Sequence, residues 1–215
     1  MPDLSKLYDA ILSGDHRAAI AITRDAIDAR IDAMEMVTGY MVPAMDEVGR
    51  RFECEEYFVP ELLLCGRAMK SALELLRPLL AAAGSQPAGR VVIGTVKGDL
   101  HDIGKNLVAA MLEGAGFEVI DLGADVEPGA FVETVKRCKP HLVCLSALLT
   151  VTMPSMKTTI EALREAGVRD SVKVLIGGAP ITPEYADSIG ADAFGGSATA
   201  AVSLARQFMH AGLRQ

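Results

Sequence analysis

The sequence predicts an α/β protein in which a four-helix bundle precedes a five-stranded parallel sheet. Before about residue 84, apolar residues recur at steps of three and four, which is typical of helices that bury one face. From Arg90 onward, short β-rich runs alternate with stretches long enough for a crossover helix, which is typical of a parallel sheet with helices on both faces. We therefore expect a helical bundle domain at residues 1–84 and an α/β domain at residues 88–215.

The N-terminal helices are predicted from their breaks and their apolar faces. Ser13, Gly14 and Asp15 end an early helix and cap the next one. We expect four helices, near residues 3–12, 15–30, 33–50 and 59–82, to pack as a bundle. The last of them carries one apolar stripe, made of Leu62, Cys65, Met69, Ala72, Leu73, Leu76 and Leu80.

A linker is predicted between the two domains. The segment AAAGSQPAGR, residues 81–90, is rich in alanine, glycine and proline and nearly free of large apolar side chains. After it come five predicted strands, namely RVVIGTV (90–96), FEVIDL (117–122), HLVCLSA (141–147), VKVLIGG (172–178) and ADAFGG (191–196).

Unusual residues follow three of these strands. The expected strand order is 2-1-3-4-5, the flavodoxin-like (Rossmann-type) arrangement, and such sheets bind ligands beyond the carboxyl ends of the strands where the winding direction reverses. In this order the first, third and fourth strands are neighbours, so their ends are expected to form a single site. The residues concerned are Asp99, His101 and Gly104 after the first strand, Ser146 and Leu148 at the third, and Gly177 and Gly178 at the fourth.

Composition excludes several classes of protein. The formal charge of −7, with no clustered basic stretch, argues against a nucleic-acid partner. No apolar run approaches the roughly 18 residues of a membrane-spanning helix, and the N-terminus lacks the basic-then-apolar order of a signal peptide. We therefore expect a cytoplasmic protein with no membrane partner. The four cysteines form no CxxC pair and are predicted to be buried, reduced thiols.

One histidine is well placed to bind a metal. The segment VKGDLHDIGKN sets His101 between Asp99 and Asp102, on a loop where a strand becomes a helix. A protein zinc site needs three or four ligands, and no thiolate or second histidine clusters with His101. A metal already held by a macrocycle needs only one axial imidazole from the protein. Cobalt in a corrin meets that requirement.

Three short motifs resemble the signature of cobalamin-binding domains. DLHDIG (residues 99–104), SAL (146–148) and GG (177–178) look like the DxHxxG, SxL and GG motifs of that family, with 41 and 28 residues between them. The segment VGRRFECEEYFVPELLLCGRAMK (48–70) is similar to the helical cap that precedes the cobalamin domain in methionine synthase and in corrinoid proteins of methyl-transfer systems. The resemblance therefore covers both halves of the chain.

The resemblance implies a role for each site residue. His101 coordinates cobalt from below in place of the cofactor's own base, and Asp99 binds the far ring nitrogen and forms a relay with Thr152. Phe52 and Val59 of the cap cover the upper face, with valine a smaller cover than the family's leucine. The implied cofactor-binding residues are Phe52, Val59, Gly98, Asp99, Leu100, His101, Asp102, Ile103, Gly104, Ser146, Leu148, Thr150, Thr152, Gly177 and Gly178.

The resemblance also implies a function, that of a methyl carrier. In such systems Co(I) takes a methyl group from a substrate-specific methyltransferase, and methyl-Co(III) is presented to a second methyltransferase that uses tetrahydrofolate or a thiol. A reductive activase is a further implied partner. The protein would be a shuttle rather than a complete enzyme, because the chain has no barrel of about 250 residues to bind a donor. Nothing in the sequence selects among methanol, methylamines, glycine betaine and methoxylated aromatics as donors.

Three alternatives remain open at this point. A cobalamin-sensing regulator would use the same binding module and would normally carry a DNA-binding domain, which we do not expect after Met209. A signalling receiver would need a phosphorylatable aspartate at the end of the third strand, where this chain has CLSALLT (144–150). The third alternative is a subunit of a radical mutase, although the helical bundle that precedes the sheet in the sequence favours methyl transfer.

Overall fold

The computed structural model describes residues 3–83 and 86–212. Contacts divide the chain into two compact units, Met1–Pro87 with Ala110–Gly116, and Ala88–Ala109 with Phe117–Gln215. Gly84 and Ser85 of the predicted linker lie outside the described residues. None of the helices between residues 3 and 83 or between 86 and 212 combines the length and apolar character needed to cross a bilayer.

The N-terminal unit contains the predicted helices with small differences in their bounds. They are α1 (Ser5–Leu12), α2 (His16–Asp28), α3 (Ala33–Met36), α4 (Val42–Glu53) and α5 (Val59–Ala82). Asp15 caps α2 as expected, because its carboxylate accepts hydrogen bonds from the amides of Arg17 and Ala18 at 3.1 and 3.0 Å. α5 extends into the predicted linker through Ala82.

A π-helical turn at Val37–Met41 separates α3 from α4. The sequence prediction of one regular helix over residues 33–50 is wrong here, and Pro43 supplies the reason. Proline has no amide hydrogen, and its ring crowds the carbonyl of the preceding turn. The turn before it is widened, and the amide of Val42 donates to the carbonyl of Val37, five residues earlier.

The core of the N-terminal unit is apolar and rich in methionine. Along α5 the predicted stripe is buried at five positions, and Leu73 and Leu80 are only partly buried. The other large buried side chains come from α1 and from the segment with the π turn. The buried residues are Leu7, Ile11, Met36, Met41, Met45, Leu62, Cys65, Met69, Ala72 and Leu76.

The prediction of four buried thiols is wrong for two of them. All four cysteines are free, but Cys54 is exposed and Cys138 is half-buried, because each lies at the C-terminal end of a surface helix. Cys65 and Cys144 are buried, and burial raises the pKa of the Cys65 thiol to about 11 and that of Cys144 to about 12.

The second unit is a five-stranded parallel sheet with the predicted order 2-1-3-4-5. The strands are β1 (Arg90–Thr95), β2 (Glu118–Asp121), β3 (Leu142–Ser146), β4 (Lys173–Gly177) and β5 (Ala193–Phe194). The helices between and after them are α6 (Ile103–Gly114), α7 (Pro128–Cys138), α8 (Met153–Glu165), α9 (Pro183–Ile189) and α10 (Ala198–Gly212). The α/β fold class and the strand order predicted from the sequence are confirmed.

The register of the sheet brings three strand ends to one level. Thr95 pairs with Ser146, and Ser146 pairs with Gly177. The loops that follow β1, β3 and β4 therefore begin side by side at the carboxyl edge. Apolar side chains from the three central strands, Val92, Val143 and Val174 among them, form one buried cluster beneath this edge and fix its position.

Candidate functional site

The loop between β1 and α6 presents the imidazole of His101. The hydroxyl of buried Thr95 donates to the carbonyl oxygen of His101 at 2.9 Å, which fixes the backbone beneath the ring. Nδ1 of His101 lies 2.7 Å from Oδ1 of Asp99, and the side chain is 50% exposed. Nε2, on the opposite side of the ring, has no hydrogen-bond partner among the described residues. His101 therefore offers one free nitrogen donor to a ligand.

Asp99 is a fully buried carboxylate that accepts five hydrogen bonds. Oδ1 accepts the amide and Nδ1 of His101 at 3.0 and 2.7 Å. Oδ2 accepts the amides of Leu148 and Leu149 at 2.7 and 3.2 Å and the hydroxyl of Thr152 at 2.7 Å. Because the Asp99 carboxylate can only accept, Nδ1 of the neutral imidazole carries the hydrogen and donates it to Asp99. Nε2 is then the nitrogen with the free lone pair.

The pKa of Asp99 reflects a balance between burial and hydrogen bonding. Burial alone would raise the pKa, but the bonds from Thr152, the Leu148 amide and His101 outweigh it and hold the pKa well below its usual range. Asp99 therefore remains a carboxylate beside His101 at neutral pH.

Thr152 links the same carboxylate to the loop after β3. Its hydroxyl lies 2.7 Å from Oδ2 of Asp99 and 2.8 Å from the carbonyl oxygen of Leu149. A hydroxyl has one hydrogen to donate, and both neighbours can only accept, so Thr152 satisfies one of them at a time. The structure thus brings together the three residues of the predicted relay, Asp99, His101 and Thr152.

Exposed apolar side chains lie on the two segments whose backbones meet at Asp99, after β1 and after β3. Leu100 is 76% exposed and Val151 is 81% exposed, and a group of exposed aliphatic side chains often marks a binding surface. Ile103, Leu148 and Leu149 are exposed as well. Leu149 and Val151 were not among the predicted site residues. Their apolar character in the LLTVT segment, directly after a strand end, was the available signal.

The predicted glycines fall into two groups. A Cβ on Gly178 would lie 1.8 Å from the carbonyl oxygen of Ala147, and one on Gly177 would lie 2.9 Å from that of Gly195. These two glycines are required by close packing of the chain against itself, in addition to any role towards a ligand. A Cβ on Gly104 would meet no protein atom within 4 Å, so its missing side chain leaves open space at the start of α6.

The remaining predicted residues lie in different surroundings. Ser146 is half-buried at the end of β3, and Thr150, Asp102 and Gly98 are exposed on the loops at the same edge of the sheet. Phe52, half-buried on α4, and Val59, exposed at the start of α5, belong to the N-terminal unit. Their assignment as the cover of the cofactor's upper face stays a prediction.

Two family models described as B12 binding domains match this chain, one over residues 89–205 and the other over residues 4–77. The chain belongs to the B12-binding family. Cobalamin is its cofactor, as the motifs predicted. The described residues fit this group, because the lone donor at Nε2, the apolar surround and the open space at Gly104 suit an axial ligand, a corrin face and a nucleotide tail.

Corrinoid proteins and methyltransferase components are similar to this chain, both in sequence and in structure. A trimethylamine corrinoid protein of Methanosarcina acetivorans is 43% identical over 205 residues, which cover 94% of this chain and 95% of that protein. A dimethylamine corrinoid protein of Methanosarcina barkeri is 40% identical over 208 residues, which cover 96% of this chain and 97% of that protein. A chain of the methanol:cobalamin methyltransferase complex MtaBC from Methanosarcina barkeri matches with a TM-score of 0.87 at 26% identity, over 96% of this chain and 79% of its own.

Proposed function

We propose that this protein is a corrinoid methyl carrier that serves a methylamine-specific methyltransferase. The observation that carries the proposal is the orientation of His101. Its Nδ1 is hydrogen-bonded to buried Asp99, and its Nε2 is left free. Identity of 40% or more to trimethylamine and dimethylamine corrinoid proteins, over nearly the full length of both chains, supports a methylamine as the donor.

The residues at the carboxyl edge of the sheet would each contribute one part of the site. His101 would bind cobalt through Nε2, with Asp99 holding the ring's orientation and tautomer. Leu100 and Ile103 would line the lower face of the corrin and exclude water from it, and Leu148 would pack along the nucleotide tail. Gly104 would leave room for the nucleotide tail, and Ser146 would hydrogen-bond the displaced base. When bound, the cobalt centre supplies the chemistry, since it alternately accepts and releases a methyl group.

Asp99 and Thr152 would also help to hold a proton at the imidazole of His101. Asp99 is held as a carboxylate by its hydrogen-bond donors, so a proton shared by the two residues would reside on the imidazole and not on Asp99. The hydroxyl of Thr152 can turn from the Leu149 carbonyl to Asp99 or back, and so adjust the electron density of the carboxylate.

A carrier of this kind needs partners. We propose a substrate-specific methyltransferase as the first, which is the kind of enzyme found with the similar chain in the MtaBC complex. A second methyltransferase, using tetrahydrofolate or a thiol, would remove the methyl group, and a reductive activase would restore cobalt after accidental oxidation.

The test is methyl loading of the reconstituted protein. The cobalamin-loaded protein is reduced to Co(I) and mixed separately with trimethylamine-, dimethylamine- and methanol-specific methyltransferases, each with its own substrate. We expect the Co(I) absorption to disappear with a methylamine pair, with one methyl group transferred per cobalt, and to persist with the methanol pair. A His101→Ala protein serves as the matched control for ligation.

Two outcomes would contradict the proposal in different ways. Loading by the methanol pair alone would overturn the methylamine assignment and leave the carrier function standing. A loaded protein that binds cobalamin yet accepts no methyl group from any donor pair would overturn the carrier function and favour a cobalamin-sensing regulator.

A further inference from the structure

The loop that carries His101 is held on a second side by the loop after β2. Val96 bridges to Val126, and the Thr95 amide donates to the carbonyl of Gly123 at 2.9 Å. The amide of Val126 donates back to the carbonyl of Thr95 at 3.0 Å. The pairing of β1 and β2 thus continues in an irregular form beyond both strands, up to the residues that precede His101.

Asp125 makes the last two hydrogen bonds of this extension. Its Oδ1 accepts the amide of Gly98 at 2.7 Å, and its own amide donates to the carbonyl of Asp99 at 3.0 Å. Gly98 and Asp99 are the third and second residues before His101. Asp125 is therefore hydrogen-bonded to the backbone of the His101 loop at two successive residues, on the side opposite to the Leu148–Thr152 loop.

The contact between Asp125 and Gly98 requires an unfavourable backbone conformation at Asp125. Asp125 has φ +56° and Gly98 has φ +84°, so both residues facing each other across the bond are left-handed. Asp and Asn tolerate this region better than other residues with a Cβ, but it still costs free energy. A strained residue at the surface, with a short hydrogen bond to the ligand loop, points to a positioning role.

We propose that Asp125 is a positioning residue that sets the strength of the bond between His101 and cobalt. It acts through the backbone of Gly98 and Asp99 and touches neither the imidazole nor the cofactor. With the Asp125 side chain in place, the loop holds Nε2 where cobalt needs it. Without the side chain, the loop samples other conformations. Binding of cobalt by His101 is then weaker, because it must restrict the loop to one conformation. This inference rests on the proposed ligation of cobalt by His101.

The test separates the acceptor, the charge and the backbone conformation. Asp125→Gly removes the acceptor and keeps the left-handed conformation accessible. Asp125→Asn removes the charge and keeps both the acceptor and the tolerance of positive φ. Asp125→Glu keeps the charge and moves the acceptor by one methylene. Glu127→Gln is the control, because it breaks only the exposed ion pair of Lys97 with Glu127 on the same loop.

The readout is the midpoint potential of the Co(II)/Co(I) couple in cobalamin-loaded protein. An axial imidazole stabilises Co(II) and not Co(I), so weaker ligation makes the potential more positive. Loss of one hydrogen bond should weaken ligation about fivefold to tenfold. At about 59 mV per tenfold change, Asp125→Gly should raise the potential by about 40–60 mV. Asp125→Glu should shift it in the same direction, and Asp125→Asn and Glu127→Gln should leave it at the wild-type value.

The results distinguish this inference from the proposed function. A wild-type potential in Asp125→Gly, in a protein whose Co(II) spectrum still shows an axial imidazole, would overturn the positioning role alone. An equal shift in Asp125→Asn and Asp125→Gly would show that charge acts and the acceptor does not, which also overturns it. Absence of the imidazole signature in the wild-type protein would overturn the proposed ligation and this inference together.

Discussion

One buried carboxylate organises the candidate site at the residue scale. Both oxygens of Asp99 accept hydrogen bonds, one from His101 and the other from the loop after β3. Residues about 50 positions apart in the sequence are therefore held by the same side chain. Asp99 orients the imidazole and also shapes the loop that carries Leu148 and Leu149.

Asp99→Asn is expected to destabilise the protein even without cofactor. An amide has one oxygen, so its NH₂ group must face N–H donors, either those of His101 or those of Leu148 and Leu149. Such a mismatch at a buried site costs about 1–3 kcal/mol in the free energy of unfolding. Urea unfolding of the apo-protein measures this loss.

Asp102→Asn is the matched control for that experiment. Asp102 is exposed on the same loop, and its substitution should change the free energy of unfolding by less than about 0.5 kcal/mol. Equal stabilities of Asp99→Asn and Asp102→Asn would show that Asp99 does not anchor the two loops.

At the scale of elements, three loops meet at the carboxyl edge of the sheet. Glycines in these loops have two different roles. Gly178 lets the end of β4 pass against Ala147 after β3. Gly104 instead leaves open space in the first turn of α6. Gly178 is needed by the fold, and Gly104 is proposed to leave room for the nucleotide tail of cobalamin.

Substitution of these glycines by alanine should separate stability from cofactor binding. Gly104→Ala lies in a helix and meets no protein atom, so it should stabilise the apo-protein by about 0.5–1 kcal/mol. It should also weaken cobalamin binding by at least about tenfold, since its methyl group would occupy the space assigned to the nucleotide tail. Thermal unfolding and equilibrium binding of cobalamin measure the two effects.

Gly178→Ala should destabilise the apo-protein, in contrast to Gly104→Ala. Its Cβ would collide with the Ala147 carbonyl at a φ of +135°, and relief of that clash should cost about 3 kcal/mol or more. If Gly104→Ala bound cobalamin as tightly as the wild type, the placement of the tail beside α6 would be wrong.

The elements themselves could be predicted from the sequence, because their signals are local. Apolar steps of three and four place α5, and β-branched runs place β1, β3 and β4. The π turn was missed because the apolar pattern runs through it, although Pro43 marked the break. β5 is two residues long, since only Ala193 and Phe194 pair with β4, and pairing is not visible in composition.

Part of the candidate site could also be predicted, and part depends on contacts between distant residues. The pairing of Asp99 with His101 is short-range and visible in DLHDIG. The amides of Leu148 and Leu149 carry no side-chain signal, so their bonds to Asp99 could not be predicted. Asp125 was missed for the same reason, since its partner is the amide of Gly98. The close packing behind Gly177 and Gly178 likewise appears only once Ala147 and Gly195 are placed.

At the scale of the whole molecule, acidic side chains couple stability to pH. Asp192, just before β5, contacts Arg169 at 2.7 Å and Lys173 at 3.1 Å and accepts the amide of Val174 at 2.7 Å. Burial raises the pKa of Asp192, but the bonds from Val174, Lys173 and Arg169 together hold it below its ordinary value. Asp99 and Asp192 are thus both held as carboxylates, with pKa values below the ordinary value, by hydrogen bonds that form only in the folded protein.

The apo-protein should therefore lose stability in acid. In the unfolded chain an aspartate titrates near about pH 3.9, and in the fold these two titrate lower, so below that pH the unfolded chain binds more protons. Their contribution is complete above about pH 5 and declines as the pH falls towards their folded pKa values. The free-energy difference between wild type and Asp192→Asn, from urea unfolding, should shrink between about pH 5 and pH 3. A constant difference over that range would contradict the assignment.

Nε2 of His101 is proposed to bind the cobalt of cobalamin on its lower face. The most direct measurement is the electron paramagnetic resonance spectrum of Co(II)-cobalamin bound to protein grown with ¹⁵N-labelled histidine. Ligation by His101 predicts that the nitrogen splitting changes from triplet to doublet on labelling and disappears in His101→Ala. A splitting that stays a triplet in the labelled protein would show that the cofactor keeps its own base and that His101 does not bind cobalt.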